Sequence, residues 1–378
     1  MYLGDFRGIG SETNHPTSGS LISAGNLTSM IIKGDINLNG SANSVMLGSQ
    51  SLLETTEGNL NIDGINQLLT IGNGGILSAA KTLLQNGSKS IISVGNEGRI
   101  VASAIQLIGN DETFTIGDNA GISADRIIIG YRGGSLTIGK NVDFDVHNFD
   151  VNVSRTVTLG DGATGYIGDT TTVDKTVFNT GNANNLEFGN ISLGDNNKFN
   201  VSGSIKGAGI SLGSNTSFTA ATSASVNLGS GNVTLSGTGN NFTLNNNVTF
   251  TAGTVVADLN MNNFTLGLND IYDVKKWNLS NSSSLAKTFT VGNGATGNFG
   301  NVNLLGENVT FNTGKANNLE FGNISLGDNN KFNVSGSITG TGISLGSNTS
   351  FTAVTNASVN FGSGNVMLSG TGNNFYTK

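Results

Sequence analysis

Short bursts of alternating apolar and polar residues recur along this chain at a nearly constant interval, each closed by a glycine and usually by a small polar residue. Leu69-Thr70-Ile71-Gly72-Asn73 is one of them. Val45-Met46-Leu47-Gly48-Ser49 precedes it. Ile92-Ser93-Val94-Gly95-Asn96, Phe114-Thr115-Ile116-Gly117-Asp118, Leu136-Thr137-Ile138-Gly139-Lys140 and Val157-Thr158-Leu159-Gly160-Asp161 follow, their glycines about 21 to 24 residues apart. Strand side chains alternate between faces, so the residues one and three places before each glycine point one way and the residue between them points the other. The first set is apolar throughout these bursts, and the intervening set is mostly Thr and Ser. Apolar pairs at a spacing of two do not build a 3.6-residue stripe, so the pattern predicts strands and no helix. The glycine and the residue after it are expected to form the corner, since Gly and Asn accept positive φ at small cost.

Self-similarity at this period is the mark of a solenoid. A second burst precedes the first at fixed distance, as in Leu60-Asn61-Ile62-Asp63-Gly64, and room remains for a third strand in each repeat. The expected fold is therefore an all-β parallel β-helix with turns of about 19 to 24 residues. Residues 1–28, which hold His15 and the only proline, Pro16, lack alternation and are expected to form a cap or loose lead-in to first coils at 29–154. From about Arg155 a larger repeat appears, because Ala183 to Phe242 returns as Ala316 to Phe375 with about six substitutions. Residues 155–287 are thus expected to be one copy of a duplicated block and 288–378 a second, incomplete copy. The bursts at Ile191, Ile210 and Val226 lie closer together and predict shorter turns there. Asn269 to Ser284 breaks the pattern and is expected to be a loop excursion.

Composition narrows the chemistry. The 378 residues include 56 Gly and no Cys, so no disulfide contributes to stability. A single Pro suits long parallel ladders in which every turn needs its N–H donors. Charged residues make up 11% and the formal net charge is −7, which excludes the clustered Lys and Arg that nucleic acid demands. No apolar run is long enough for a transmembrane helix, so direct membrane insertion of this segment is not expected. Two separated His and no Cys leave no zinc or thiol chemistry, and the tandem Gly-Gly-x-Gly-x-Asp units of calcium-binding solenoids do not occur. No metal or other cofactor is expected.

Two stretches are candidates for function. In Val142 to Asp150, alternation puts Asp143, Asp145 and His147 on one outward face, with Asp150 nearby. Carboxylates displayed on such a face could act as acid and base in glycoside cleavage. Against catalysis stands the lack of a basic cluster or aromatic platform beside them, and Phe144, Val146 and Phe149 read as core. Tyr272, Lys275, Lys276 and Trp277, within the expected loop, could form a small recognition surface, since exposed aromatic and basic residues are enriched at binding hot spots. The alternative is that these aromatics fold back over the coil.

The Gly-, Asn-, Ser- and Thr-rich coils (Gly64 to Gly72, Gly109 to Gly117, Gly237 to Leu244), the absence of Cys and the large near-identical block resemble the passenger region of bacterial type V autotransporters, with an Asn-rich texture similar to the surface cell antigens of rickettsia-like bacteria. The resemblance spans about residues 29 to 378. It implies a right-handed parallel β-helix outside the outer membrane of a Gram-negative bacterium, a monomeric rod acting as a non-enzymatic stalk or adhesin toward a host-cell protein or glycan. Family members carry an N-terminal signal and a C-terminal translocator barrel, which have no counterpart here, so the chain is expected to be a fragment. The alternative expectation is a polysaccharide-degrading β-helix enzyme or a phage tailspike-like protein.

Overall fold

In the computed structural model the chain is all-β, with no helix among the described residues, and its parallel strands stack as a β-solenoid of about 16 turns. The structure describes residues 2–3, 19–130, 135–152, 156–283 and 285–377. The chain divides into two compact units, Met1–Gly189 and Asn190–Lys378.

In the first unit one turn comprises Leu60–Ile62, Leu68–Ile71 and the first half of the long strand Ile76–Gln85, whose second half opens the next turn. The long strand bends midway, so that its first half pairs with Leu52–Thr55 and its second half with Leu60–Ile62. Each turn therefore has three faces. The first face of the unit is one parallel sheet of six strands, from Leu21–Ala24 to Ser135–Ile138, in a register that sets Ile92 between Leu69 and Phe114. Leu69, Ile71, Ile92, Val94, Phe114 and Ile116 are all buried, whereas Thr70, Ser93 and Thr115 are half-exposed, as alternation predicts. Each buried side chain of this size contributes about 1.5–3 kcal/mol relative to exposure, so every turn adds a comparable increment. The stack begins earlier than expected, because Leu21–Ala24 already pairs with Ser44–Leu47. Tyr2–Leu3 also joins the stack by pairing with Ser29–Ile32, and residues 4–18 of the expected lead-in, with His15 and Pro16, lie outside the described residues.

The corners divide their labour differently from the sequence expectation. Positive φ falls two residues after the repeating glycine, at Gln50, Gly74, Glu97, Asn119 and Asn141, not on the glycine or the residue beside it. The glycine answers a different need. A Cβ on Gly72 would lie 2.6 Å from the Gly48 carbonyl carbon, and one on Gly139 would lie 2.4 Å from that of Gly117. Backbones of successive turns approach too closely for any side chain. The residue after the glycine links the turns: Asn73 Oδ1 accepts the N–H of Asn96 at 3.0 Å, Asn96 Oδ1 that of Asp118 at 2.9 Å, and Asp118 Oδ1 that of Lys140 at 2.8 Å.

The second unit repeats the plan with an aromatic interior. Phe199, Phe218 and Phe242 stack at 6.0 and 5.4 Å, and Phe311, Phe332, Phe351 and Phe375 at 4.6, 5.6 and 4.8 Å, all near parallel. Such pairs add about 0.5–1.5 kcal/mol each beyond area burial. Turn length varies as the sequence predicts, with inter-turn bonds spanning 19 residues at Asp195–Ser214 and 24 at Thr216–Asn240. Ile191 and Ile210 share a column, but Val226 belongs to a neighbouring one, where it lies on Ile205. The close spacing of Val226 thus reflects a second face of the same turn and not a shorter turn.

Replacing Leu69 with Ala is expected to lower stability by about 2–5 kcal/mol in chemical denaturation, while Thr70→Ala on the outward side of the same strand stays within about 0.5 kcal/mol.

Candidate functional site

The strand Asp143–Asn152 carries the acidic cluster. Phe144 and Val146 point inward and Asp143, Asp145 and His147 outward; His147 and Asn148 are then both exposed, after which Phe149 is buried and Asp150 half-buried. Two consecutive exposed residues mark the bend between the second and third faces. Asp150 consequently lies on the other side of the bend from Asp143 and Asp145. Arg126 holds it there, with Nη2 at 2.6 Å and Nε at 3.0 Å from Oδ2.

Asp143 and Asp145 border a shallow groove on the outer surface of the first unit. It consists of two adjoining depressions of about 300 and 280 Å³ that share Ser123 and Asp145. Ala79, Ala102 and Ala124 give it a floor of small side chains, and Ser103, Asp125 and His147 line one depression while Glu97, Arg99 and Asp143 line the other. Ser123 Oγ donates to Asp145 Oδ2 at 3.3 Å, Thr164 Oγ1 donates to Asp143 Oδ1 at 3.1 Å, and His147 Nδ1 lies 3.7 Å from Asp125 Oδ1. Asp125 and Ser123 were not singled out by the sequence reading. The signal was available, since each precedes its neighbour, His147 or Asp145, by one 22-residue period, the spacing of the Ser123–Asp145 contact.

Chemically the groove offers hydrogen-bond acceptors and hydroxyls to a hydroxyl-rich ligand. Its side chains remain in water: those of His147 and Asp125 are 56% and 73% exposed, and Asp143 and Asp145 are exposed too. General acid catalysis by a carboxyl depends on removing it from water or setting it against another charge in a confined space. Neither condition is met on this open surface. Among the described residues no group of three or more His, Asp or Glu is arranged to hold a metal ion.

The second candidate is corrected. Asn269 to Ser284 is no loop excursion: Ile271–Ser280 is a ten-residue strand that pairs along its length with Thr249–Asp258 and with Thr296–Leu304, and Ser284 lies outside the described residues. Tyr272 and Trp277 are 1% and 0% exposed. Trp277 stacks on Phe299 at 4.7 Å, and Tyr272 meets the Phe299 ring edge-on at 5.2 Å. Lys275 and Lys276 mark the outside of a bend equivalent to His147 and Asn148. The Tyr272 hydroxyl donates to Asp270 Oδ2 at 3.0 Å, and Asp270 Oδ1 accepts the Val248 N–H at 2.9 Å. Burial pushes the Asp270 carboxyl up to about 6 against these bonds, and burial, reinforced by Asp270, holds the Tyr272 phenol well above its usual range. These aromatics are core, and the sequence expectation of a recognition loop fails because they occupy inward positions on both sides of the bend.

The fold defines the class of this protein as a parallel β-solenoid. No family model, curated protein or solved structure matches the chain.

If Trp277 is core, its fluorescence is expected to be blue-shifted and resistant to acrylamide quenching, and Trp277→Ala to cost about 3–5 kcal/mol in denaturation; an exposed loop residue would give quenchable emission and a change below about 0.5 kcal/mol.

Proposed function

We propose that the chain is a non-enzymatic, surface-displayed passenger of the autotransporter kind that serves as an adhesin or structural layer. The observation that carries this reading is the continuity of the polar outer ladders. Asn61 donates to Asn37, Asn303 to Asn278 and Asn333 to Asn312, so outward side chains repeat from turn to turn and engage one another at 2.7 to 2.9 Å. A surface of this kind stays hydrated and presents the same groups many times over, which favours weak multivalent contact with a host-cell protein or glycan. Its formal charge of −7 argues against nucleic acid or an anionic lipid surface as partner. The groove beside Asp145 supplies the most individual feature of the first unit, and within this reading it contacts sugar hydroxyls through Asp125, Asp145 and Ser123.

The same groove favours a second reading as a polysaccharide-acting enzyme, because it places two carboxylates and an imidazole along one depression. The solvation of those groups weighs for binding over cleavage.

The expected result for purified protein is saturable attachment to host cells or immobilised glycans, weakened at least several-fold by the double substitution Asp125→Asn and Asp145→Asn, with no shortening of any polysaccharide. Cleavage of a polysaccharide that disappears in Asp145→Asn would replace the adhesin reading with the enzymatic one.

A further inference from the structure

One column of buried side chains is polar through most of the described turns, and one of its members, Glu112, differs from its polar neighbours in what it can donate. The column runs through the position just after the corner that leads into the first face. In the first unit it reads Asn43, Gln67, Ser90 and Glu112, all fully or almost fully buried. Asn43 Oδ1 accepts the N–H of Ser20, Gln67 Oε1 that of Asn43 and Ser90 Oγ that of Gln67. Each of the three also donates to a backbone carbonyl: Asn43 to Asn39, Gln67 to Gly40 at 2.9 Å, Ser90 to Gly64 at 3.1 Å. The second unit repeats the pattern at several turns. Thr216 accepts from Asn197 and donates to Gly194, while Asn330 accepts from Val309 and donates to Gly306. Each of these polar positions is filled by a side chain that donates and accepts at once, whereas the buried Val309, one turn before Asn330, fills the column with an apolar side chain.

Glu112 as a carboxylate can only accept. It is 0% exposed, and neither carboxyl oxygen has a hydrogen-bond partner of normal geometry, although the Gln85 side chain and the Ser90 N–H lie near it; the Oε1 of Gln85 also lacks a partner. The crowding at Gly109 shows what is missing. A Cβ there would lie 2.4 Å from both Glu112 Oε1 and the Gly87 carbonyl oxygen, just as one at Gly64 would meet both Gln67 Nε2 and the Gly40 carbonyl oxygen. At Gly64 those two atoms form a hydrogen bond. At Gly109 they are two acceptors side by side.

We propose that Glu112 is a neutral carboxylic acid in the folded protein, its proton completing the column, and that losing this proton loosens the corner between residues 85 and 116. Among the described neighbours the charged group that acts on it is Asp111, which disfavours ionisation further. Lys89 occupies the corner position equivalent to Asp111 one turn away, and Gln85, Ser90, Leu107, Thr113 and Ser135 carry no charge. Burial pushes the carboxyl from 4.5 up to about 7, with opposing contributions from Gln85 and the Ser90 N–H. A folded value above the unfolded one means that the native state holds the proton more tightly. The contribution to stability is thus complete below pH 4.5, falls as pH rises and is gone above about pH 7.

The test is chemical denaturation of the wild-type protein and of Glu112→Gln between pH 4.5 and 8.5, with Glu112→Ser, the Ser90 solution, as a second variant. Both variants restore a permanent donor. The expected result is that Gln matches the wild type near pH 4.5 and exceeds it at pH 8, with a gain in the folding constant on the order of a hundredfold. Taking the difference between variant and wild type at each pH cancels Asp270 and every other titrating group. A difference that does not change with pH, or two variants that are both less stable than the wild type at pH 8, would overturn the proposal.

Discussion

Each turn of this protein completes its hydrogen bonding only through the turns that flank it. A parallel strand cannot pair with itself, so all backbone N–H and C=O groups on the three faces are committed to neighbours about one period away. That constraint forces the period, since each strand must meet its neighbours in the turns before and after it. It also forces glycine wherever two corner backbones meet, as at Gly72 on Gly48. The apolar columns, the outward Thr and Asn ladders and the glycine series are three consequences of one pairing rule.

Corners are where the rule is hardest to satisfy. The chain leaves the sheet there, and buried backbone groups lose their strand partners. The molecule meets the need with side chains that act as substitute backbone: Asn73 and Asn96 on one corner, and Gln67, Ser90, Thr216 and Asn330 on another. An unpaired buried polar group costs about 1–3 kcal/mol, so a polar side chain at such a position must find its partners, whereas the apolar core accepts Val, Leu, Ile or Phe in the same column. Glu112 is notable against that restriction because ionisation removes the capacity to donate.

Functionally, a periodic scaffold makes individuality visible. The outer ladders of the two units are repetitive, and the groove lined by Asp125, Asp145 and His147 arises where the bend between faces coincides with small alanines on three successive turns. Its carboxylates are presented to solvent. Presented in this way, they are free to accept hydrogen bonds from a hydroxyl-rich ligand.

Much of this was legible in the sequence. The strand columns, the absence of helix, the range of turn lengths and the outward placement of Asp143, Asp145 and His147 all follow from alternation and period, because both are local properties of an extended chain. The register also carried more than was first drawn from it: Ile271-Tyr272-Asp273-Val274 and Trp277-Asn278-Leu279 repeat the inward–outward pattern of Asp143 to Val151, with Lys275 and Lys276 at the bend. Other features depended on the tertiary structure. Which corner residue takes positive φ, the pairing of Arg126 with Asp150 across a bend, the assignment of Val226 to a second face and the unpartnered oxygens of Glu112 all depend on the exact approach of turns distant in the chain. Alternation determines which way a side chain points; only the packed stack determines what it meets.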